Sequence, residues 1–129
     1  MQDNDEDTNA RDREDKKLTT EERRRREQKY QGEKLWVLTV MAPIEDFYLD
    51  RFVTRLDNIF PKTRDRDRLG YLIAKWLVDQ IHLHGETEAR RNMIACARNV
   101  LNDKISDMRN EIRACETEVA KLNTRLYNL

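Results

Sequence analysis

The chain has 129 residues, 39% of them charged, and its 25 basic residues balance its 25 acidic ones. This length predicts one domain with extensions. No apolar run is long enough to span a membrane, and the first residues are acidic where a secretory signal would be basic and then apolar. We therefore expect a protein of the cytoplasm, or of the nucleus in a eukaryotic host, with no membrane partner.

Charge is arranged in blocks along residues 1–33, which we predict to be a tail. Residues 1–15 carry seven acidic and two basic side chains, whereas residues 16–30 carry seven basic and three acidic ones. Because almost no apolar residue is present to offset the entropy of ordering, residues 1 to about 18 are predicted to be disordered.

A short basic helix is predicted within this tail, because Thr19 or Thr20 can cap it and Gly32 can end it. Its four consecutive arginines are Arg23, Arg24, Arg25 and Arg26. One interpretation is an arm that binds phosphate, or a nuclear localisation patch. The other is a charged linker in which glutamates pair with arginines at helical spacing. The sequence leaves both open.

The segment from Lys34 to Pro43 is predicted to be a β-strand. β-Branched and aromatic residues dominate it, and Pro43 disfavours a helical conformation at the residue before it. No other segment has strand character, so this single strand has to pair with a second copy of the chain. The strand is a first indication of a homo-oligomer.

Two amphipathic helices are predicted after the strand. The first runs from Ile44 to Phe60, and its apolar residues form one stripe. The second runs from about Arg64 to His84, with Thr63 as its cap and Gly85 as its end. Together with the strand they make a predicted domain of residues 34–85.

A long helix is predicted for residues 86–129, with Thr87 as its cap. Its apolar residues recur at gaps that alternate between four and three, which is a heptad repeat. The predicted oligomerisation residues are Leu101, Ile105, Met108, Ile112, Cys115, Val119, Leu122 and Leu126. One helix cannot bury so narrow a stripe, so we expect a dimer or a tetramer. The apolar residue types favour a parallel dimer and the flanking charges an antiparallel or four-helix arrangement, so the direction stays open.

No residue pattern predicts catalysis or a metal centre. Cys96 and Cys115 are too far apart in sequence for a metal-binding pair, and neither a nucleophile beside a base nor a glycine-rich phosphate loop is present. We therefore expect neither enzyme activity nor a cofactor. Cys115 is interpreted either as a small hydrophobe of the helix interface or as an interchain disulfide.

The order strand, helix, turn and helix over residues 34–84, with Val40 to Pro43 leading into Ile44, Glu45 and Asp46, resembles the ribbon-helix-helix family of dimeric DNA-binding proteins. With its helical tail, the architecture is similar to relaxosome accessory proteins of conjugative plasmids. The resemblance implies an antiparallel ribbon in the major groove and phosphate held at the second helix. The DNA contacts that it implies are Val37, Thr39 and Met41 on the ribbon, and Lys62, Thr63, Arg64, Arg66 and Arg68 beside the second helix. Lys34, at the start of the strand, is a further predicted DNA contact.

Only Thr39 is polar among the groove-facing ribbon residues. The ribbon is therefore expected to bind DNA with low sequence preference, or to be covered by protein.

The expected fold is mainly α, with one short strand pairing in trans, two amphipathic helices and a C-terminal coiled-coil helix. The expected function is an oligomeric DNA-binding protein, either a transcriptional regulator or a DNA-processing accessory factor, whose partner is double-stranded DNA. The alternative is a coiled-coil scaffold or adaptor that binds another protein, which the zero net charge and the long heptad helix favour.

Overall fold

The computed structural model of this chain describes residues 18–129, so the predicted disorder of residues 1–17 lies outside the described residues. The described part forms four α-helices. They are α1 (Thr20–Met41), α2 (Asp46–Arg55), α3 (Arg66–His84) and α4 (Glu86–Tyr127). The predictions of a mainly helical chain and of a long C-terminal helix are therefore confirmed.

The strand predicted from Lys34 to Pro43 is wrong, because this segment is the second half of α1. Val37 and Met41, four residues apart, are both 0% exposed, so the apolar residues follow helical spacing rather than the alternation of a strand. Gly32 does not end the helix, because a glycine inside a helix costs only about 1 kcal/mol relative to alanine. Instead α1 ends just before Pro43, which has no amide hydrogen to continue it.

The ribbon that the ribbon-helix-helix resemblance implies requires that strand. Residues 18–129 contain no strand at all. The argument for a homo-oligomer from an unpaired strand therefore no longer holds. An argument for a second copy of the chain has to come from the helices.

The predicted helix caps are right at α1 and wrong at α3. Thr19 Oγ1 accepts a hydrogen bond from the Glu22 amide at 3.1 Å, so the predicted cap of α1 is confirmed. At α3 the cap is Asp65, whose carboxylate accepts from two amides of the first turn. Thr63 lies before it and accepts a hydrogen bond from the Asp65 amide. A carboxylate at this position also interacts favourably with the positive end of the helix dipole.

The two remaining helix boundaries also differ from prediction. The helix predicted from Ile44 to Phe60 is shorter, since α2 ends at Arg55. Thr87 does not cap α4, which begins directly after Gly85. Gly85 has a φ of 88°, a left-handed conformation that glycine adopts without steric cost, and this allows the chain to turn sharply between α3 and α4.

All four helices contribute to one core. α1 and α3 are antiparallel, because Lys34 near the end of α1 pairs with Asp67 at the start of α3, whereas Tyr30 lies beside Lys75. The buried residues are Val37, Met41, Ile44, Tyr48, Leu49, Phe52, Leu56, Leu69, Ile73, Ala74, Leu77, Ala89, Met93, Ala97 and Val100. None lies beyond residue 100, so the last part of α4 is outside the core.

Candidate functional site: the heptad stripe of α4

α4 is 42 residues long, and only its first half packs against the other helices. Within the described residues, Asp107 is the last residue along α4 that makes a polar contact with another helix. Its carboxylate accepts hydrogen bonds from Tyr48 Oη at 2.9 Å and from Arg51 Nη1 at 3.3 Å. Every residue from 108 to 129 is exposed. Residues 108–127 therefore form a helix about 30 Å long that projects from the bundle.

The predicted oligomerisation residues follow one side of α4 and leave the bundle with it. We call them the heptad stripe: Leu101, Ile105, Met108, Ile112, Cys115, Val119, Leu122 and Leu126. Leu101 is half-buried, and the exposure of the large apolar side chains after it rises from 45% at Ile105 to 67% at Leu126. From Met108 onward every residue is exposed, so the described part of the chain leaves these side chains uncovered.

The heptad stripe is separate from the face of α4 that builds the core. The core face consists of Ala89, Met93, Ala97 and Val100. At 3.6 residues per turn, the stripe lies about a quarter of a turn away from this face. The first half of α4 can therefore remain packed in its own bundle while the stripe contacts another helix.

Polar contacts between α2 and α4 fix the direction in which α4 leaves the bundle. Arg55 Nη2 lies 2.8 Å from Asp103 Oδ2, and Lys104 forms an ion pair with Glu45. The hydrogen bond that Tyr48 donates to Asp107 raises the pKa of the tyrosine hydroxyl. Several contacts along one line hold α4 more rigidly than a single one.

A shallow groove runs along the exposed stripe. It is lined by Met108, Glu111, Ile112, Cys115, Glu116, Val119, Ala120 and Asn123. The apolar floor comes from Met108, Ile112, Cys115 and Val119, which occupy the a and d positions of the heptad. The carboxylates of Glu111 and Glu116 border it. Such a hole between neighbouring a and d residues is the shape that receives a side chain of a partner helix.

The two cysteines lie in different surroundings. Cys96 Sγ donates a hydrogen bond to the Arg55 carbonyl at 3.2 Å, and burial raises the pKa of its thiol. Cys115 is exposed on the heptad stripe. Its position fits both interpretations made from the sequence, a small hydrophobe in a helix interface or an interchain disulfide.

The side chains predicted to read DNA from a ribbon cannot do so in this arrangement. Val37 and Met41 are fully buried, and Thr39 Oγ1 donates to the Leu35 carbonyl one turn earlier. Lys34 Nζ lies 3.0 Å from Asp67 Oδ1. These four residues stabilise α1 and its packing on α3.

The two predicted basic segments do not form one surface. Arg23 to Arg26 lie near the start of α1, where Arg25 pairs with Glu21 at 3.1 Å. Residues 62–68 lie beside the other end of α1, because Arg66 donates to the Met41 carbonyl. The helical rise places the two segments about 25 Å apart along α1.

Within residues 62–68, the basic side chains have separate surroundings. Arg66 donates to Asp46 Oδ1 at 2.9 Å and to the carbonyls of Met41 and Ile44. Arg68 lies over the ring of Tyr71. Lys62 and Arg64 are exposed. The turn therefore offers a phosphate fewer cations than its sequence predicts.

The sequence analysis missed a set of exposed arginines on α4. They are Arg91, Arg98, Arg109 and Arg113. Their separations of 7, 11 and 4 residues return each to nearly the same side of a helix, which is the signal that could have identified them.

Among residues 18–129, no three His, Cys, Asp or Glu side chains are grouped so as to hold a metal ion. No helix in this part of the chain has the length and apolar character required to cross a membrane. Comparison with protein-family models, with curated proteins and with solved structures found no match to this chain.

Proposed function

We propose that this chain is a self-associating scaffold whose copies are joined by a coiled coil between their α4 helices. The observation that carries the proposal is the uninterrupted heptad stripe, exposed along the projecting half of α4. Large side chains arranged in this way are typical of interaction surfaces rather than of free solvent-facing helices. Covering each of them contributes about 1.5–3 kcal/mol.

A second copy of the chain fits the stripe for a geometric reason. A heptad repeat presents knobs and holes at a spacing that an identical helix matches over its full length. Residues 101–126 span about 37 Å, enough for a specific pair of helices. The bundle leaves this side of α4 uncovered from Ile105 onward.

The flanking charges favour an antiparallel or four-helix arrangement over a parallel dimer. A parallel pair places Glu111 opposite Glu116, whereas one antiparallel register places Arg109 opposite Glu116. Lys104 is already paired with Glu45 of its own chain, so this cation contributes little to the choice between the two directions.

The test is the native mass from light scattering over a range of protein concentrations. We expect the wild-type mass to exceed the chain mass of 15.5 kDa, and the variant Ile112→Asp with Val119→Asp to be monomeric. Each buried carboxylate costs about 3 kcal/mol, so association weakens at least a hundredfold per site. Both positions lie outside the bundle core, so the variant retains the folded bundle.

The matched control carries Asn110→Asp and Thr117→Asp. These residues are exposed in the same segment, on the side of α4 opposite the stripe, and the substitutions add the same charge. The control should associate like the wild type. A wild-type protein that is monomeric at high concentration contradicts the proposal. This holds even if the heptad stripe then proves to bind a different protein.

A further inference from the structure

Between residues 89 and 115, the three carboxylates of α4 lie on one side of the helix, together with Lys104, which pairs with Glu45. On the side that faces α2, Asp103 pairs with Arg55, and Asp107 pairs with Arg51. Glu111, the third carboxylate of this stretch, also lies on this side, given 3.6 residues per turn. The acidic residues of the stretch are therefore confined to one side of the helix, and the nearest carboxylates on the opposite side are those of Glu88 and Glu116 at its two ends.

The opposite side of the same stretch is basic. Arg91, Arg98, Arg109 and Arg113 lie there, within about 60° of one another around the helix axis. All four are exposed, and none contacts a carboxylate within residues 18–129. The residues between them on this side are small or neutral: Asn92, Ala95, Asn99, Asn102, Ser106 and Asn110.

We propose that this basic side of α4 binds the phosphate backbone of a nucleic-acid duplex. The residues of the interaction are Arg91, Arg98, Arg109 and Arg113. From the first to the last they span about 33 Å, close to the length of one turn of B-form DNA, about 34 Å. Arginine donates paired hydrogen bonds to phosphate, and the amides between the arginines add neutral donors.

The composition of this side favours a duplex over the other anionic partners. A protein interface needs buried aromatic or apolar anchors, and this side of α4 offers none. A membrane surface would cover the adjacent heptad stripe, whose other border carries Glu111 and Glu118, so carboxylates would face the anionic lipids. Binding to phosphates needs cations and hydrogen-bond donors but no apolar anchor.

This surface is compatible with a coiled coil. Arg91 and Arg98 precede the heptad stripe, and Arg113 points away from it. A pair of α4 helices therefore leaves these three arginines accessible, whereas Arg109 borders the stripe and faces Glu116 of the other copy in one antiparallel register. The interaction is expected to be independent of base sequence, because phosphate contacts carry no sequence information.

The experiment is a salt titration of the full chain with a fluorescent DNA duplex of mixed sequence, followed by anisotropy. We expect the logarithm of the affinity to fall linearly with the logarithm of the salt concentration. Replacing all four arginines by Gln should weaken binding at least tenfold at low salt. It should also make the slope shallower by about 3–4, because each phosphate contact contributes about 0.9.

The matched control replaces Arg23, Arg24, Arg25 and Arg26 by Gln, which removes the same charge from α1. This variant should keep a slope close to that of the wild type. The proposal is overturned if no binding occurs at low salt, or if the α1 variant rather than the α4 variant loses the slope. The proposal is also overturned if the α4 variant loses binding to vesicles of phosphatidylserine and phosphatidylcholine as strongly as it loses binding to the duplex. The site would then recognise any anionic surface.

The native mass of the α4 arginine variant separates this proposal from the scaffold function. The four substitutions lie outside the heptad stripe and only Arg109 borders it, so the mass at high protein concentration should equal that of the wild type. A wild-type mass of one chain together with duplex binding would contradict the scaffold function and leave the arginine surface standing.

Discussion

Arg66, a predicted phosphate contact, joins the end of α1 to the starts of α2 and α3. Its guanidinium donates to Asp46 and to the carbonyls of Met41 and Ile44. The Met41 carbonyl, at the last residue of α1, also accepts the Ile44 amide, so the guanidinium adds a second donor there and interacts favourably with the helix dipole.

Replacing Arg66 by Ala should lower the free energy of unfolding by about 2 kcal/mol, because hydrogen bonds to a charged donor are lost at partly buried acceptors. Urea denaturation measures the change. The control is Arg64→Ala, an exposed arginine two residues earlier in the chain, for which the change should stay within about 0.5 kcal/mol. Equal effects of the two substitutions would contradict the assigned role of Arg66.

A second residue, Tyr71, makes stability depend on alkaline pH. Burial, and then the hydrogen bond to Glu27, raise the pKa of Tyr71 from 10.0 to about 12. The unfolded tyrosine loses its proton near its ordinary pKa while the native one retains it. The unfolded state is therefore favoured as pH rises through this interval.

We expect the contribution of Tyr71 to stability to be complete below pH 10 and to be lost as the pH approaches 12. Urea midpoints measured across this interval should fall less steeply for Tyr71→Phe than for the wild type. The control is Tyr127→Phe, since Tyr127 is 90% exposed, and its profile should follow the wild type. An unchanged profile for Tyr71→Phe would show that the hydroxyl does not titrate abnormally.

At the scale of elements, the close approach of α1 and α3 depends on Gly70. A Cβ placed on Gly70 would lie 2.7 Å from Leu38 Cδ2 and 3.0 Å from Leu38 Cγ. Alanine gains about 1 kcal/mol over glycine inside a helix, whereas overpacking costs about 1–3 kcal/mol. The two effects have opposite signs, and the clash is the larger one.

A double-mutant cycle tests this balance. Gly70→Ala alone should destabilise the protein by about 1 kcal/mol, but in a Leu38→Ala background it should stabilise by about 1 kcal/mol, because the clash is gone. The coupling energy from urea denaturation is then about 2 kcal/mol. Additive effects would mean that the two helices are not packed as closely as described.

The elements also show which parts of the fold could be predicted from sequence. The heptad repeat identified α4 because its period persists over many residues. The strand prediction failed because Trp36, Val37 and Val40 have strand propensity, while burial of Val37 and Met41 against other helices decides the conformation. Propensity over ten residues is a weak signal, and tertiary packing overrides it.

At the scale of the whole molecule, the sequence identifies charged residues but not which of them remain available. Local runs such as Arg23 to Arg26 are conspicuous, although neighbouring glutamates dilute their field. The arginines of α4 are scattered in the sequence. They lie together only because the segment is helical, on the side of α4 that faces away from α2. Ion pairs between distant residues, such as Arg55 with Asp103, cannot be inferred from spacing.

The projecting half of α4 ties the conformation of the molecule to its association. Residues 108–127 are all exposed and contribute nothing to the core, whereas most helical stability in proteins comes from the packing of an apolar face. In an oligomer the heptad stripe is buried and the helix is stabilised by it. The bundle is held by its own core and does not share this dependence.

We therefore predict that dilution to the monomer reduces the far-UV helical signal by about a fifth, the share of residues 108–127 among the helical residues. Tryptophan emission should stay constant, because Trp36 and Trp76 pack against the bundle core. The variant Ile112→Asp with Val119→Asp should show the reduced signal at every concentration. If the monomer kept the full helical signal, the projecting helix would be stable alone. Its helical structure would then not depend on association with a second copy.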